Sequence, residues 1–204
     1  MPWSRQHKSE TRERILDAAA LAFREHGIEQ TSVGDVMQRA GLTHGGFYAH
    51  FKSKEELVGE AVRYASDQVS KIFDAPGGKE SGPPDLLKIA AAYLSLPHMV
   101  HPERGCPVAA LGPELLRGDQ KLRKVISKET RVRLEKLYQG TNSRATPEVR
   151  KRQAAGALAC MVGGQILARA LSGQDGEQFL ADCREFLRDA LTGQPPTAGS
   201  IIEQ

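Results

Sequence analysis

Apolar residues return at the spacing of one helical face from near the start of this chain to near its end, which leaves little room for any architecture but helices. Ile15, Ala19, Ala22 and Phe23 form the first stripe, and His26 and Gly27 close it, with glycine where a left-handed backbone is needed. Thr31 or Ser32 can cap the next segment, Asp35 sits near its positive end, and Val33, Val36, Met37 and Ala40 form its inner side before Gly41. Leu42 follows the turn, Thr43 is a natural cap, and a third short helix runs through His50. Ser53 caps a longer helix that carries Glu55 and Glu56 in its first turn and Leu57, Ala61, Tyr64 and Ile72 on one face.

The breaker cluster Asp74 to Asp85, "DAPGGKESGPPD", predicts a junction. Beyond it helices are expected over Leu86–Leu96, through Leu116, over Lys121–Tyr138 and over Ala154–Leu171. A last helix has Phe179, Cys183, Phe186, Leu187, Ala190 and Leu191 on one face. Alternating strand patterns are lacking and aromatic residues make up only 5% of the chain, so the expectation is an all-α fold, with one domain over 8–68 and a larger helical one over 69–204. No uninterrupted apolar run approaches the roughly 18 residues of a membrane span, and the N-terminus lacks the apolar core of a secretion signal, so a cytoplasmic chain without a membrane partner is expected. Three cysteines in such a chain fit reduced thiols.

A short helix, a glycine turn and a second short helix, braced by a preceding long one, is the layout of a helix-turn-helix, whose second helix enters the DNA major groove. Net charge is only +3, but its placement is pointed: from Val36 through Lys54 there is no Asp or Glu, while Arg39, Lys52 and Lys54 are cationic and His44 and His50 can be. Gly45 and Gly46 leave the start of the reading helix bare, so that backbone can approach base edges and Thr43 and His44 are best placed to reach them. Phe47 and Phe51, four apart, are expected in the core. The arm from Trp3, with Arg5 and Lys8, is expected to precede the first helix as a solvated terminus that can also reach phosphates. A second basic run, "KLRKVISKETRVRLEK", alternates with an apolar stripe and reads as a solvated helix face.

The stretch "TRERILDAAALAFREHGIEQTSVGDVMQRAGLTHGGFYAHFKSKEELVGEAV", with its "AG", "FY", "HF" and "SKEEL" in order, resembles the N-terminal domain of the tetracycline-repressor (TetR) family of bacterial transcriptional regulators. The resemblance implies an N-terminal three-helix DNA-binding domain joined by a fourth helix to a ligand-binding and dimerisation domain, in a homodimer whose last two helices form a four-helix bundle. It also implies a repressor that leaves a near-palindromic operator on binding a small molecule. Carried over by position, Thr31, Ser32, Thr43, Tyr48 and Lys54 would hold phosphates, with His50 at the same surface, and His44, Gly45 and Gly46 would lie at the bases. Gly34 departs from relatives that carry a long base-reading side chain there, which implies fewer bases read from the second helix.

In the C-terminal half, Tyr93, His98, Met99, Cys106 and Leu111 are the expected pocket lining, for an uncharged or aromatic compound. Cys106 lies where some members of the family carry a sensing thiol, and at a helix N-terminus beside Arg104 its thiolate would be favoured. A redox or electrophile sensor is therefore the alternative function, weighed against an inert buried cysteine. His98, His101 and Cys106 are metal-binding types in no metal-binding spacing, so neither metal nor cofactor is expected. Gly163 and Gly164 in a very apolar helix permit close approach of another helix, and dimerisation is expected through Leu158, Met161, Gly163, Ile166, Phe179, Cys183, Phe186 and Leu187. No phosphate loop, metal-binding doublet or nucleophile with an evident base is present, so an enzyme is not expected.

Overall fold

A computed structural model of the protein describes residues 5–73, 85–142 and 144–192, and among these residues the regular elements are helices alone. Helix α1 spans Arg5–His26, α2 spans Val33–Arg39, a 3-10 helix spans His44–Ala49, and α3 spans Lys54–Phe73. There follow α4 (Leu86–Tyr93), α5 (Leu96–Val100), a short 3-10 turn (Pro102–Arg104), α6 (Pro107–Arg117), α7 (Gln120–Gln139), α8 (Pro147–Leu171) and α9 (Gly173–Thr192). Residues 74–84 of the expected junction, Trp3 of the arm and the side chains of Arg5 and Ile72 lie outside the described residues.

Several boundaries differ from the sequence reading. Lys8 is on α1, not in an arm before it. The helix expected over Leu86–Leu96 stops at Tyr93: Leu94 leaves helical geometry, Ser95 is extended, and Pro97, which has no N–H to give, sits in the first turn of α5. Helix α8 begins well before Ala154 because Thr146 caps it, accepting from the Val149 N–H, and Pro147 occupies its first position. Helix α8 also has the length and composition of a helix able to cross a bilayer, although Leu158, Met161, Gln165 and Ala168 along it are buried against the rest of the chain.

Two apolar clusters organise the packing. The first gathers Ile15, Ala19 and Phe23 of α1, Val36 and Met37 of α2, Phe47, Phe51, and Leu57 to Ala65 of α3; Leu111 and Leu115 of α6 and Leu122 and Ile126 of α7 complete it. The second holds Val69 together with Ile89, Tyr93, Met99, Cys106, Leu137, Met161 and Leu180. Helix α3 therefore belongs to both, changing cluster between Ala65 and Val69. At roughly 1.5–3 kcal/mol for each fully buried large side chain, these clusters dominate the stability of the fold.

Polar struts join the two ends of the chain as well. Arg24 of α1 donates from Nη1 to the Gly105 carbonyl (2.8 Å), and burial pulls its pKa down to about 10, which leaves it charged at neutral pH. Glu114 of α6 accepts from the Ile28 N–H (2.7 Å) just after Gly27, whose φ of +87° makes the turn out of α1. Because α6 thus caps the exit of α1, the C-terminal half touches the N-terminal helices directly and not only through α3.

Candidate nucleic-acid interface

Ser32 and Asp35 form a reciprocal capping box at the start of α2: the Asp35 N–H reaches Ser32 Oγ (3.1 Å) and the Ser32 N–H reaches Asp35 Oδ2 (2.8 Å). Helix α2 ends at Arg39; two residues on, Gly41 turns the chain with a φ of +68°, and Arg14 of α1 donates to the Ala40 carbonyl (2.6 Å) at that corner. The short helix expected after Thr43 is present as a 3-10 helix, with Gly46 N–H on the Thr43 carbonyl (3.1 Å) and His50 N–H on the Phe47 carbonyl (2.9 Å). Two adjacent glycines weaken the α-helical preference of so short a run. Its inner side is fixed by Phe47 and Phe51, buried and stacked at 5.8 Å, with the Arg12 guanidinium 4.4 Å above the Phe51 ring.

Anchoring one side of the turn exposes the other. Thr43, His44 and Gly45 lie at the surface, and Tyr48 is 71% exposed, its ring resting edge-on against Phe47 at 5.2 Å. A Cβ built on Gly45 would meet nothing within 4 Å, and one on Gly46 only Met37 Cε at an ordinary 3.6 Å. Neither glycine has positive φ. The fold itself asks for glycine at neither position. The Thr43 hydroxyl makes no cap bond and is available outward. Lys54 opens α3 beside this surface.

His50 is half-buried, and its Nδ1 is sealed from water without a partner. Burial first, then the charges of Lys8 and Arg12, hold its pKa below the ordinary imidazole value. A cavity of about 430 Å³, lined mainly by Thr11, Met37, Leu42, Thr43, Gly46 and His50, opens beneath the reading turn, with Lys8 at its edge.

The structure corrects two of the expected contacts and removes one cation from the acid-free stretch. Thr31 is 2% exposed and spends its hydroxyl inward on the Gly27 carbonyl (2.7 Å), so its side chain does not face the surface. Ser32 Oγ is committed to the capping box, donating to Asp35 Oδ2 at 2.6 Å. Arg39 lies in the acid-free stretch of sequence but pairs with Glu25 of α1 at 2.6 Å, which neutralises it in space. The bracing roles of Arg12 and Arg14 escaped the sequence reading, because their partners Phe51, Glu60 and Ala40 lie 26 or more residues away.

The expected pocket residues divide between the two apolar clusters. Leu111 belongs to the first cluster, against the N-terminal helices. Tyr93, His98, Met99 and Cys106 are buried and packed tightly, the Tyr93 and His98 rings crossing edge-to-face at 4.4 Å. His98 Nδ1 donates to the Tyr93 carbonyl (2.7 Å) while Nε2 accepts the Cys106 N–H (2.9 Å), so neither nitrogen is free for a metal. No group of three or more metal-ligating side chains occurs among the described residues. The Cys106 thiol is 0% exposed and lies against Tyr93 and Arg133, and Arg104 points away into solvent, which removes the accessible, Arg104-activated thiol that the redox alternative needs. Cys160 and Cys183 face each other across α8 and α9, and burial pushes Cys160 up to about 12.

The expected dimer residues divide. Leu158, Met161 and Leu187 are buried within their own chain, and Phe179 and Cys183 are half-covered, because the same two helices also pack on each other. Gly164 is the contact glycine of that packing: a Cβ there would come within 2.9 Å of Leu94 and 3.3 Å of the Cys183 sulfur. Gly163 faces open space instead, beside exposed Ile166 and Leu167, and Phe186 is 64% exposed.

Comparison with known proteins agrees with this geometry. Residues 15–61 match the bacterial regulatory proteins of the tetR family. The chain is 35% identical over 69 residues to the HTH-type transcriptional regulator AcrR of Shigella flexneri, covering 34% of this chain and 32% of that protein. It is 45% identical over 56 residues to the HTH-type transcriptional repressor KstR2 of Rhodococcus jostii, covering 28% of each. The chain thus spans a third or less of the length of these two curated relatives. A crystal structure of a TetR transcriptional regulator from Chloroflexus aurantiacus superposes with a TM-score of 0.74 at 26% identity, covering 93% of this chain and 98% of that one.

Proposed function

We propose that this chain, which belongs to the TetR family by its N-terminal segment and its fold, is a homodimeric repressor that reads a near-palindromic DNA operator from the cytoplasm and leaves it on binding a small molecule. The observation that carries the reading is the turn from Thr43 to Tyr48: bare at Gly45, exposed at His44 and Tyr48, and held rigid from beneath by Phe47 and Phe51. In this reading His44, Gly45 and Gly46 meet base edges, Thr43, Tyr48, His50 and Lys54 hold phosphates, and the division of labour falls at 8–68 and 69–204. The ligand, an uncharged or aromatic compound, acts by shifting α3, which is rooted in both clusters.

Selection of bound duplexes from a random pool, at physiological salt with excess competitor, tests this. Enrichment of a palindrome with half-sites about 34–36 Å apart is the expected result; folded protein that enriches nothing overturns the reading. Tyr48→Phe removes a charge-assisted hydrogen bond worth about 1.5–3 kcal/mol, so it should weaken every site by a similar factor, whereas His44→Ala should change which sequence wins. A Tyr48→Phe variant that binds as tightly as the native protein would rule out its phosphate contact.

The exposed apolar surface of Gly163, Ile166, Leu167 and Phe186 supports a dimer built on α8 and α9. Light scattering should report a dimer at micromolar concentration and a monomer for Phe186→Glu. A native protein that is monomeric there would remove the symmetry from the proposal.

A further inference from the structure

The basic run on α7 is not evenly solvated. Gln120, Arg123, Lys124, Ser127, Lys128 and Arg131 are all exposed on one face, and together they line a shallow surface cavity of about 400 Å³ that holds no acid. None of the four cations is in an ion pair among the described residues, and the one hydrogen bond of Arg123 runs to the Gly118 carbonyl (3.1 Å). The acids nearby are spent elsewhere. Asp119 caps the helix through the Leu122 N–H (2.9 Å), Glu129 is buried on Arg133 (3.2 Å), and Glu135 accepts from Gln139 (2.6 Å). Lys124 and Lys128 stand four apart and Lys128 and Arg131 three apart, spacings at which like charges destabilise a helix.

We propose that this ridge binds the phosphates of the duplex flanking the half-site that the turn at His44–Ala49 reads, a proposal that rests on the DNA-reading function above. The ridge is fixed to the reading unit. On its opposite face Leu122 and Ile126 enter the same apolar cluster as Phe47 and Phe51, and Val125 approaches Gly59 of α3 to 3.6 Å of where a Cβ would lie. Its N-terminal end is the one nearest the start of α3, since Val125 meets Gly59 whereas Arg133 reaches Ser66 further along that helix. A lipid surface fits less well, because an interfacial helix needs a broad apolar face beside its cations and the exposed part of α7 offers Val132 alone among large hydrophobics.

The test measures affinity against salt concentration for the full chain on the minimal selected site and on the same site with about 10 base pairs added at each side. The proteins are the native one, a variant R123Q/K124Q/K128Q/R131Q, and a control K151Q/R152Q that removes exposed cations of α8. The native protein and the control should bind the longer duplex more tightly and with a steeper salt dependence. The ridge variant should bind the minimal site as the native protein does, while losing the gain from the flanks and about 0.9 of logarithmic slope per phosphate contact removed. Equal native affinity and slope on both duplexes would overturn the ridge and leave the reading function intact. So would an α8 control that loses as much as the ridge variant. Absence of binding to any selected site by the native protein would instead sink the reading function, and the ridge proposal with it.

Discussion

Replacing Arg133 with alanine is expected to cost about 3–5 kcal/mol of folding stability, because it strands a charge inside the protein. Arg133 is 3% exposed and Glu129 8%. The guanidinium reaches Glu129 Oε2 at 3.2 Å and the Glu129 carbonyl at 2.8 Å, and its other arm donates to Ser66 Oγ at 3.2 Å, which in turn donates to the Val62 carbonyl. Without Arg133 the Glu129 carboxylate has lost its counter-ion in a place water hardly enters, so it must take up a proton or break the packing. Urea unfolding at neutral pH measures the loss. The double replacement Arg133→Met with Glu129→Leu should recover most of it, since an apolar pair of similar volume avoids the desolvation of both ions. An alanine variant as stable as the native protein would mean that water reaches Glu129. The same bonds tie α7 to α3 through Ser66, so native-like stability in the double variant would let their effect on the proposed ligand-driven release be measured apart from folding.

How much of this was legible in the sequence follows from how local each cause is. The stripes of α1 and α9 and the cap at Ser32 depend on neighbours three or four residues away, and a linear reading sees them directly. The roles of Phe47 and Phe51 were legible for the same reason. The fate of Thr31 was not: its hydroxyl looks like a cap or a phosphate contact until the chain folds back and offers it the Gly27 carbonyl. Arg39 reads as part of a cationic surface until α1 brings Glu25 to 2.6 Å. Gly163 and Gly164 are indistinguishable as a pair in sequence, yet one meets Leu94 and Cys183 while the other meets nothing. Leu111 reads as middle-domain lining, but α6 leans on α1 and carries it into the other core. Apart from Thr31, whose partner is only four residues back but is reached through the turn out of α1, these misreadings share a cause: the deciding partner is distant in sequence.

Acidification should release a second, larger-scale weakness, and the group responsible is His98. Burial, with Arg169 and Arg24 close by, lowers its pKa from an ordinary 6.5 to about 4. The neutral ring is the one the fold needs, since Nε2 accepts the Cys106 N–H at 2.9 Å and a proton there would face that N–H. The unfolded chain therefore takes up this proton first. Stability from His98 is complete above pH 6.5 and is lost as pH falls from there toward 4; at about 1.4 kcal/mol per pH unit the window is worth about 3 kcal/mol. Carboxylates held low by their partners, such as Glu25 and Asp35, also lose stabilisation in acid, so the measurement must be differential. His98→Gln, whose amide oxygen can still accept from Cys106, should be less stable at pH 7 and lose less than the native protein on going to pH 4.5, in urea titrations at both. Equal losses would show that His98 does not carry the acid sensitivity. The consequence reaches beyond stability, because Gly105 lies against this ring so closely that a Cβ there would sit 2.6 Å from His98 Cδ2, and its carbonyl is the one that holds Arg24 of α1. If protonating His98 loosens this place where the C-terminal half grips α1, then under the proposed function affinity for the selected DNA site should fall with the same proton.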